Sequence, residues 1–182
     1  QPPEPVRALA DASRGCRTAY SAGFQRFCAY HASDFHAGRE QVNHRLAQED
    51  AASSDPNAVP SGGILIPTIG VGGHCLPKDG ILLWWRKLEA REDSSRSLIL
   101  EARRINDESP AETIRLAEAH YGPLNDPAVA RLALSYRFTS DTTRNSPAPV
   151  LPRKPHARGP RLTRHAPTLT RPDAHLPPPG PP

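Results

Sequence analysis

From Val6 to Cys28, apolar residues fall at Val6, Leu9, Cys16, Tyr20, Phe24, Phe27 and Cys28, mostly in steps of three, four and seven. Those steps trace one helical face. They predict a helix over Glu4–Tyr30, about 40 Å long at 1.5 Å per residue. Gly15 and Gly23 weaken its middle by up to about 1 kcal/mol each. A shorter helix is predicted over Asp34–Leu46, with Asp34 as its cap. Ala51–Gly63 (AASSDPNAVPSGG) reads as a loop, and Ile64–Ile66 as a short strand or extended segment. Further on, Ile81, Trp84, Trp85 and Leu88 mark the inner face of a helix with Asp79 near its N-cap. Leu98, Ile99, Ala102 and Ile105 mark another over Ser95–Asn106. Ser109-Pro110-Ala111-Glu112 is a capping box with proline at the first helical position. It predicts a separate helix that Gly122-Pro123 stops. Ala128–Tyr136 (AVARLALSY) reads as a strand, followed by the polar loop Thr139–Ser146. The chain is thus mainly α, and its late strand looks like the first of an α/β unit.

Composition divides the chain near residue 145. The last 38 residues hold 12 of the 22 prolines and a net charge of +5, while residues 1–144 come to −1. The basic charge of the whole therefore belongs to a Pro-rich tail, and a basic body built to grip nucleic acid is not supported. No run approaches the roughly 18 apolar residues of a membrane span, and no signal-peptide pattern is present. Cys16, Cys28 and Cys75 cannot all pair within one chain, so reduced thiols in a cytoplasmic setting are expected. The chain has no methionine and begins Gln-Pro-Pro, which leads us to expect part of a longer protein. The tail after Ser146 has too many prolines for helix or sheet and reads as disordered. It is either a Pro-rich interaction arm or an out-of-frame reading of GC-rich coding DNA.

The densest motif is Gly70-Val71-Gly72-Gly73-His74-Cys75-Leu76-Pro77-Lys78-Asp79-Gly80. Three glycines in four positions allow positive φ angles and close backbone approach to a ligand. A cysteine just before a helix sits where the positive end of the helix dipole favours thiolate. Lys78 adds positive charge, and Asp79 is spaced to hold or activate a water beside the sulfur. That is the setting of a nucleophile. The plain alternative is a glycine-rich turn with a buried thiol. Cys28, His31 and His36 lack the spacing of a metal site, and no metal is expected. Trp84 and Trp85 read as core, and Arg103-Arg104 as a solvated or subunit-facing surface.

Three segments carry a family resemblance: GVGGHCLPKDG, ILEARRINDESPAETIRLAEAHYG and AVARLALSYRFTSDTTRNSPA. Residues 64–147 resemble the nucleotide-sugar 6-dehydrogenases, the UDP-glucose/GDP-mannose dehydrogenase family. The Gly-His-Cys version is more similar to the branch acting on N-acetylhexosamine nucleotides. The resemblance implies a helical central dimerisation domain over 1–122 and the start of a UDP-binding α/β domain over 123–147, with the tail at 148–182. It implies Cys75 as the nucleophile and Asp79 as the group assisting water. Gly72 and Gly73 would lie against the substrate, and Arg144, in a turn similar to the family's Asp-x-x-Arg-x-Ser, would contact its nucleotide end. NAD is the implied cofactor, a nucleotide sugar the implied substrate, and a homodimer the implied assembly.

Departures from the family pattern fall mostly before residue 64. Arg7 stands where the family has Lys, and Asp11 where it has Asn. Arginine keeps the charge but does not readily exchange a proton. Asp11 brings negative charge to a place where an oxyanion forms, the wrong sign for stabilising it. Arg45 is the nearest candidate for an arginine that reaches a neighbouring subunit's substrate. The Gly-x-Gly-x-x-Gly fingerprint of a dinucleotide-binding unit occurs nowhere in the 182 residues. NAD is accordingly expected on a domain this chain lacks, and the chain alone is expected to be inactive. The reading from another class is a non-catalytic helical oligomerisation module with a basic Pro-rich arm.

Overall fold

The computed structural model describes residues 4–49, 62–90, 96–123, 129–132, 135–136, 142–148 and 162–165. It is mainly α: α1 (Glu4–Tyr30), α2 (Phe35–Glu49), α3 (Leu76–Glu89), α4 (Leu98–Tyr121), then β1 (Val129–Leu132) and β2 (Leu162–His165). Helix α1 is the spine, packing on α4 and α3 along one side and on α2 near its C-terminus.

The buried face of α1 differs from the predicted stripe. Val6, Leu9, Tyr20 and Phe27 are exposed, whereas Asp11, Ala12, Ala19, Ser21, Ala22 and Cys28 are buried. Small side chains let α3 and α4 come close, so the large apolar residues turn outward. Asn106 of α4 donates from Nδ2 to the carbonyl of Gly15 (3.0 Å), fastening the two helices where α1 is slimmest. The same principle corrects α3. Its buried residues are Asp79 and Gly80, while Trp85 is exposed and bonds Glu89 through its indole N–H (3.2 Å). A Cβ at Gly80 would stand 2.8 Å from Ile99 Cγ2, so only glycine permits this α3–α4 approach.

Asp34 caps α2 as expected, its Oδ1 accepting from the N–H groups of His36 and Ala37. Residues Gly63–Leu65 are extended but form no strand, because side chains satisfy their backbone. Asn43 bonds both the N–H and the carbonyl of Ile64, Arg17 bonds the Gly63 carbonyl, and Ser21 accepts from the Leu65 N–H. Ile64 then packs with Cys28, Phe35 and Phe24.

The two helices predicted on either side of Ser109 are one. Pro110 lies inside α4, and Ser109 Oγ donates back to the Ile105 carbonyl (2.9 Å) rather than capping a new start. Arg26 adds a second donor to that carbonyl (3.2 Å). Ion pairs Glu101–Arg104, Arg103–Asp107 and Glu112–Arg115 lie along the same helix. The Asn106 carbonyl, which Pro110 cannot bond, faces Gly70, where a Cβ would come within 3.1 Å of it.

The predicted strand over Ala128–Tyr136 is shorter, at Val129–Leu132, and Tyr136 lies in a bend. It pairs in parallel with Leu162–His165. That second strand falls in the Pro-rich tail read as disordered, in a stretch between prolines. The tail at 149–161 and 166–182, the loop at 51–61 and residues 139–141 of the polar loop lie outside the described residues.

Candidate active site

Cys75 is not buried in a turn but is itself the N-cap of α3, with φ −90° and ψ −60°. Asp79, expected near the N-cap, lies one turn inside. The Cys75 carbonyl accepts from Lys78 N–H (3.0 Å) and Asp79 N–H (2.8 Å), closing the first turn. Pro77 fits there because the first-turn N–H groups have no helical partner to lose. The sulfur thus sits at the positive end of α3.

Two residues of α1 reach the same place. Arg7 Nη2 donates to Cys75 Sγ. Contact with the sulfur, first by that hydrogen bond and then by charge, holds the Arg7 guanidinium above its ordinary pKa. Ligand atoms of Asp11, Cys75 and Asp79 lie within 4.8 Å of one another. Both carboxylates are buried, at 8% and 7% exposure. Each has a cationic neighbour: Arg14 stands 4.0 Å from Asp11, and Lys78 Nζ lies 2.5 Å from Asp79 Oδ1. The bond to Asp79 raises the Lys78 pKa. Arg7, Lys78 and Asp79 also edge an open groove of about 1180 Å³ that continues past Leu82 and Trp85 of α3.

On the other side of the cysteine, Gly72 and Gly73 are covered by Tyr136 and by the turn at 143–146. Gly73 has φ +96°, where side chains are disfavoured. Its N–H donates to the Arg144 carbonyl (3.2 Å) and its carbonyl accepts from Asn145 Nδ2 (3.0 Å). Arg144 meets the loop through its backbone, and its side chain is exposed. Neither Asn145 nor Tyr136 stood out in sequence. The signal for Asn145 was its place in a polar turn motif, and Tyr136 carried none.

Arg45 is not brought to this site. It is an exposed residue of α2, which packs on α1 around Phe24, whereas Cys75 meets α1 at Arg7 and Asp11. Thirteen residues of helix, about 20 Å, separate those levels. Cys16 lies behind the site, and burial pushes its thiol pKa up. Cys16, Cys28 and Cys75 are all free. The described residues offer no dinucleotide cradle, since the two strands have four residues each and no Gly-rich turn joins a strand to a helix among them. NAD does not fit the described residues.

The chain is similar to nucleotide-sugar dehydrogenases in sequence over about half its length, and its fold is similar to solved structures of UDP-sugar dehydrogenases. No family model matches it. The chain is 44% identical over 97 residues to UDP-N-acetyl-D-mannosamine dehydrogenase of Pyrococcus horikoshii, covering half of itself and 22% of that relative. It is 35% identical over 92 residues to NDP-N-acetyl-D-galactosaminuronic acid dehydrogenase of Ralstonia nicotianae, covering 21% of it. Among solved structures, UDP-D-ManNAc dehydrogenase from Pyrococcus horikoshii superposes with a TM-score of 0.64 at 29% identity, over 90% of this chain and 35% of that one. A UDP-glucose dehydrogenase from Pyrobaculum islandicum shares the fold, with a TM-score of 0.68 at 18% identity. The chain spans about a fifth of the length of the curated relatives it matches. Among the described residues no helix is long and apolar enough to cross a membrane.

Proposed function

We propose that these residues supply the cysteine half-site of a nucleotide-sugar 6-dehydrogenase, an enzyme that oxidises the C6 alcohol of a UDP-sugar to a uronic acid with NAD. One observation carries the reading: Arg7, Asp11 and Asp79, from two helices, converge on Cys75 at the N-terminus of α3. Two steps belong to this chain. In the first, the Cys75 sulfur adds to the C6 aldehyde, and the carbonyl oxygen becomes an alkoxide that Arg7 stabilises before it takes a proton. In the second, water attacks the C6 thioester and gives one proton to Asp79, the sulfur departs as thiolate, and the acid loses its other proton to solvent to leave the carboxylate. The oxidations around these steps pass hydride to an acceptor these residues do not hold.

Substrate contacts follow the same reading. Gly72 and Gly73, packed against Tyr136 and the turn at 143–146, would meet the substrate with backbone alone, and Arg144, exposed on its turn, would contact its nucleotide end. Exposed Val6, Leu9, Tyr20 and Phe27 on α1, with Leu82 and Trp85 on α3, support self-association through the helical region.

A second reading, a non-catalytic oligomerisation module, is favoured by one observation. Asp11 puts a buried carboxylate close to the sulfur, where negative charge opposes an oxyanion. One experiment separates the two. The chain is completed with a relative's NAD-binding and C-terminal domains, in versions with and without Asp11→Asn and Arg7→Lys. Uronic acid formation that Cys75→Ala abolishes supports the enzyme. Absence of acid from every completed version, or acid production unaffected by Cys75→Ala, rejects the proposed role.

A further inference from the structure

We infer that Tyr136 and the turn Thr143–Ser146 form a clamp that positions Cys75 by holding the glycine-rich loop; the inference rests on Cys75 being the nucleophile. Gly73 is gripped at both of its polar backbone groups, its N–H by the Arg144 carbonyl and its carbonyl by Asn145 Nδ2. The turn is shaped for that grip. Ser146 N–H bonds the Thr143 carbonyl (2.8 Å), and Asn145 takes φ +50° at the third turn position, where asparagine and glycine are favoured. Thr143 and Ser146 are buried, and Ser146 Oγ accepts from Ala148 N–H, so the turn is anchored from behind.

Tyr136 closes the other side. A Cβ at Gly73 would lie 2.7 Å from its Cε2, and one at Gly72 would lie 2.8 Å from its Cβ and 2.7 Å from the Asn145 carbonyl. The ring also meets His74 edge-on, with centroids 6.2 Å apart. Every residue from Gly72 to His74 therefore touches the clamp, and Cys75 comes next. Rotation of the Gly73–His74 peptide re-aims the Cys75 side chain relative to Arg7. Misplacement by about 1 Å costs a reacting group up to about a hundredfold. Tyr136, Arg144 and Asn145 follow the four-helix part in sequence, so the segment that opens the next unit fixes the nucleophile of the preceding one. They are positioning residues, acting on Cys75 through Gly73.

The test uses the intact chain. Asn145→Gly removes the amide donor and leaves φ +50° strain-free, while Tyr136→Phe keeps the ring and serves as the conservative control. Two quantities are read: amide hydrogen exchange at Gly73, and the pH profile of iodoacetamide alkylation at each cysteine. In Asn145→Gly the Gly73 N–H keeps the Arg144 carbonyl as its acceptor, but the loop opens more often once the bond to the Gly73 carbonyl is gone, and Gly73 exchange rises about tenfold, the worth of one hydrogen bond. Cys75 alkylation changes by about threefold or more and its pH profile moves, with Cys16 and Cys28 unchanged. Tyr136→Phe behaves as wild type. Folded Asn145→Gly with wild-type Gly73 exchange and wild-type Cys75 kinetics overturns the clamp. Should that variant unfold, Asn145→Asp, which keeps the turn but cannot donate, is read by the same two measures. If wild-type Cys75 is not the preferred thiol, the nucleophile reading fails, while Gly73 exchange still decides the clamp.

Discussion

Arg7 and Cys75 are 68 residues apart in sequence, yet the guanidinium of one donates directly to the sulfur of the other. The bond ties the first turns of α1 to the first turn of α3 and gives the cysteine a permanent cation. Arg7 is solvent-facing, so solvent screens part of the effect. Arg7→Ala should slow alkylation of Cys75 by about three- to tenfold at neutral pH, the worth of one partly screened charged hydrogen bond. Arg7→Lys should recover part of the loss. Time courses with iodoacetamide, resolved by peptide mapping, measure both; equal rates in Arg7→Ala and wild type contradict the pairing.

Gly80→Ala should destabilise the fold although alanine is the better helix former. The propensity gain is about 1 kcal/mol. Against it, the new methyl meets Ile99 Cγ2 at 2.8 Å, and over-packing of this kind costs about 1–3 kcal/mol. A net loss of roughly 1 kcal/mol is expected, read by urea denaturation. A more stable Gly80→Ala would show that α3 and α4 do not pack this closely.

Asn106 is buried, and its Nδ2 bond to the Gly15 carbonyl joins α4 to α1. Asn106→Ala should lower stability by about 1 kcal/mol, because the part-buried Gly15 carbonyl loses its side-chain donor while a buried Oδ1 without a partner is removed with it. Thermal unfolding followed by far-UV circular dichroism is the measurement, and an unchanged midpoint would count against this contact.

The hydrogen bond from Arg115 holds the Glu112 carboxyl below its ordinary value of 4.5, and the guanidinium charge adds to it. A depressed carboxylate pKa contributes stability above the unfolded value and loses it as pH falls through the folded one. Glu112→Gln should therefore cost about 0.2–0.5 kcal/mol at neutral pH, as for an exposed helical pair. The difference from wild type should vanish in strong acid. Denaturation curves at neutral and acid pH check the sign: a difference that grows on acidification contradicts it.

The helical character, the span of α1, the Asp34 cap and the glycine-rich loop leading to Cys75 were legible because each rests on local signals. Residue identity did not reveal which side of α1 faces inward. Apolar periodicity pointed to Val6, Leu9, Tyr20 and Phe27, whereas close helix packing selected Ala12, Ala19 and Ala22. Ser109-Pro110 carries a strong start signal, yet α4 runs through it, and the carbonyl that the proline leaves without its helical partner, that of Asn106, faces Gly70. At the site, the family resemblance, and not the residues alone, implied that Arg7 and Asp11 meet Cys75. The clamp at Gly73 was illegible, since it depends on a backbone carbonyl of Arg144 and a ring that only the tertiary fold brings near.

Competitive labelling of the three thiols tests the central claim most directly. Burial pushes the Cys16 thiol pKa up and Cys28 is 4% exposed, while Cys75 is partly open beside Arg7 at a helix N-terminus. The intact, folded chain is treated with limiting iodoacetamide at neutral pH and mapped by mass spectrometry. Cys75 should be alkylated first, by about tenfold or more over either of the others. Preferential labelling of Cys16 or Cys28 would contradict the assignment of Cys75 as the nucleophile.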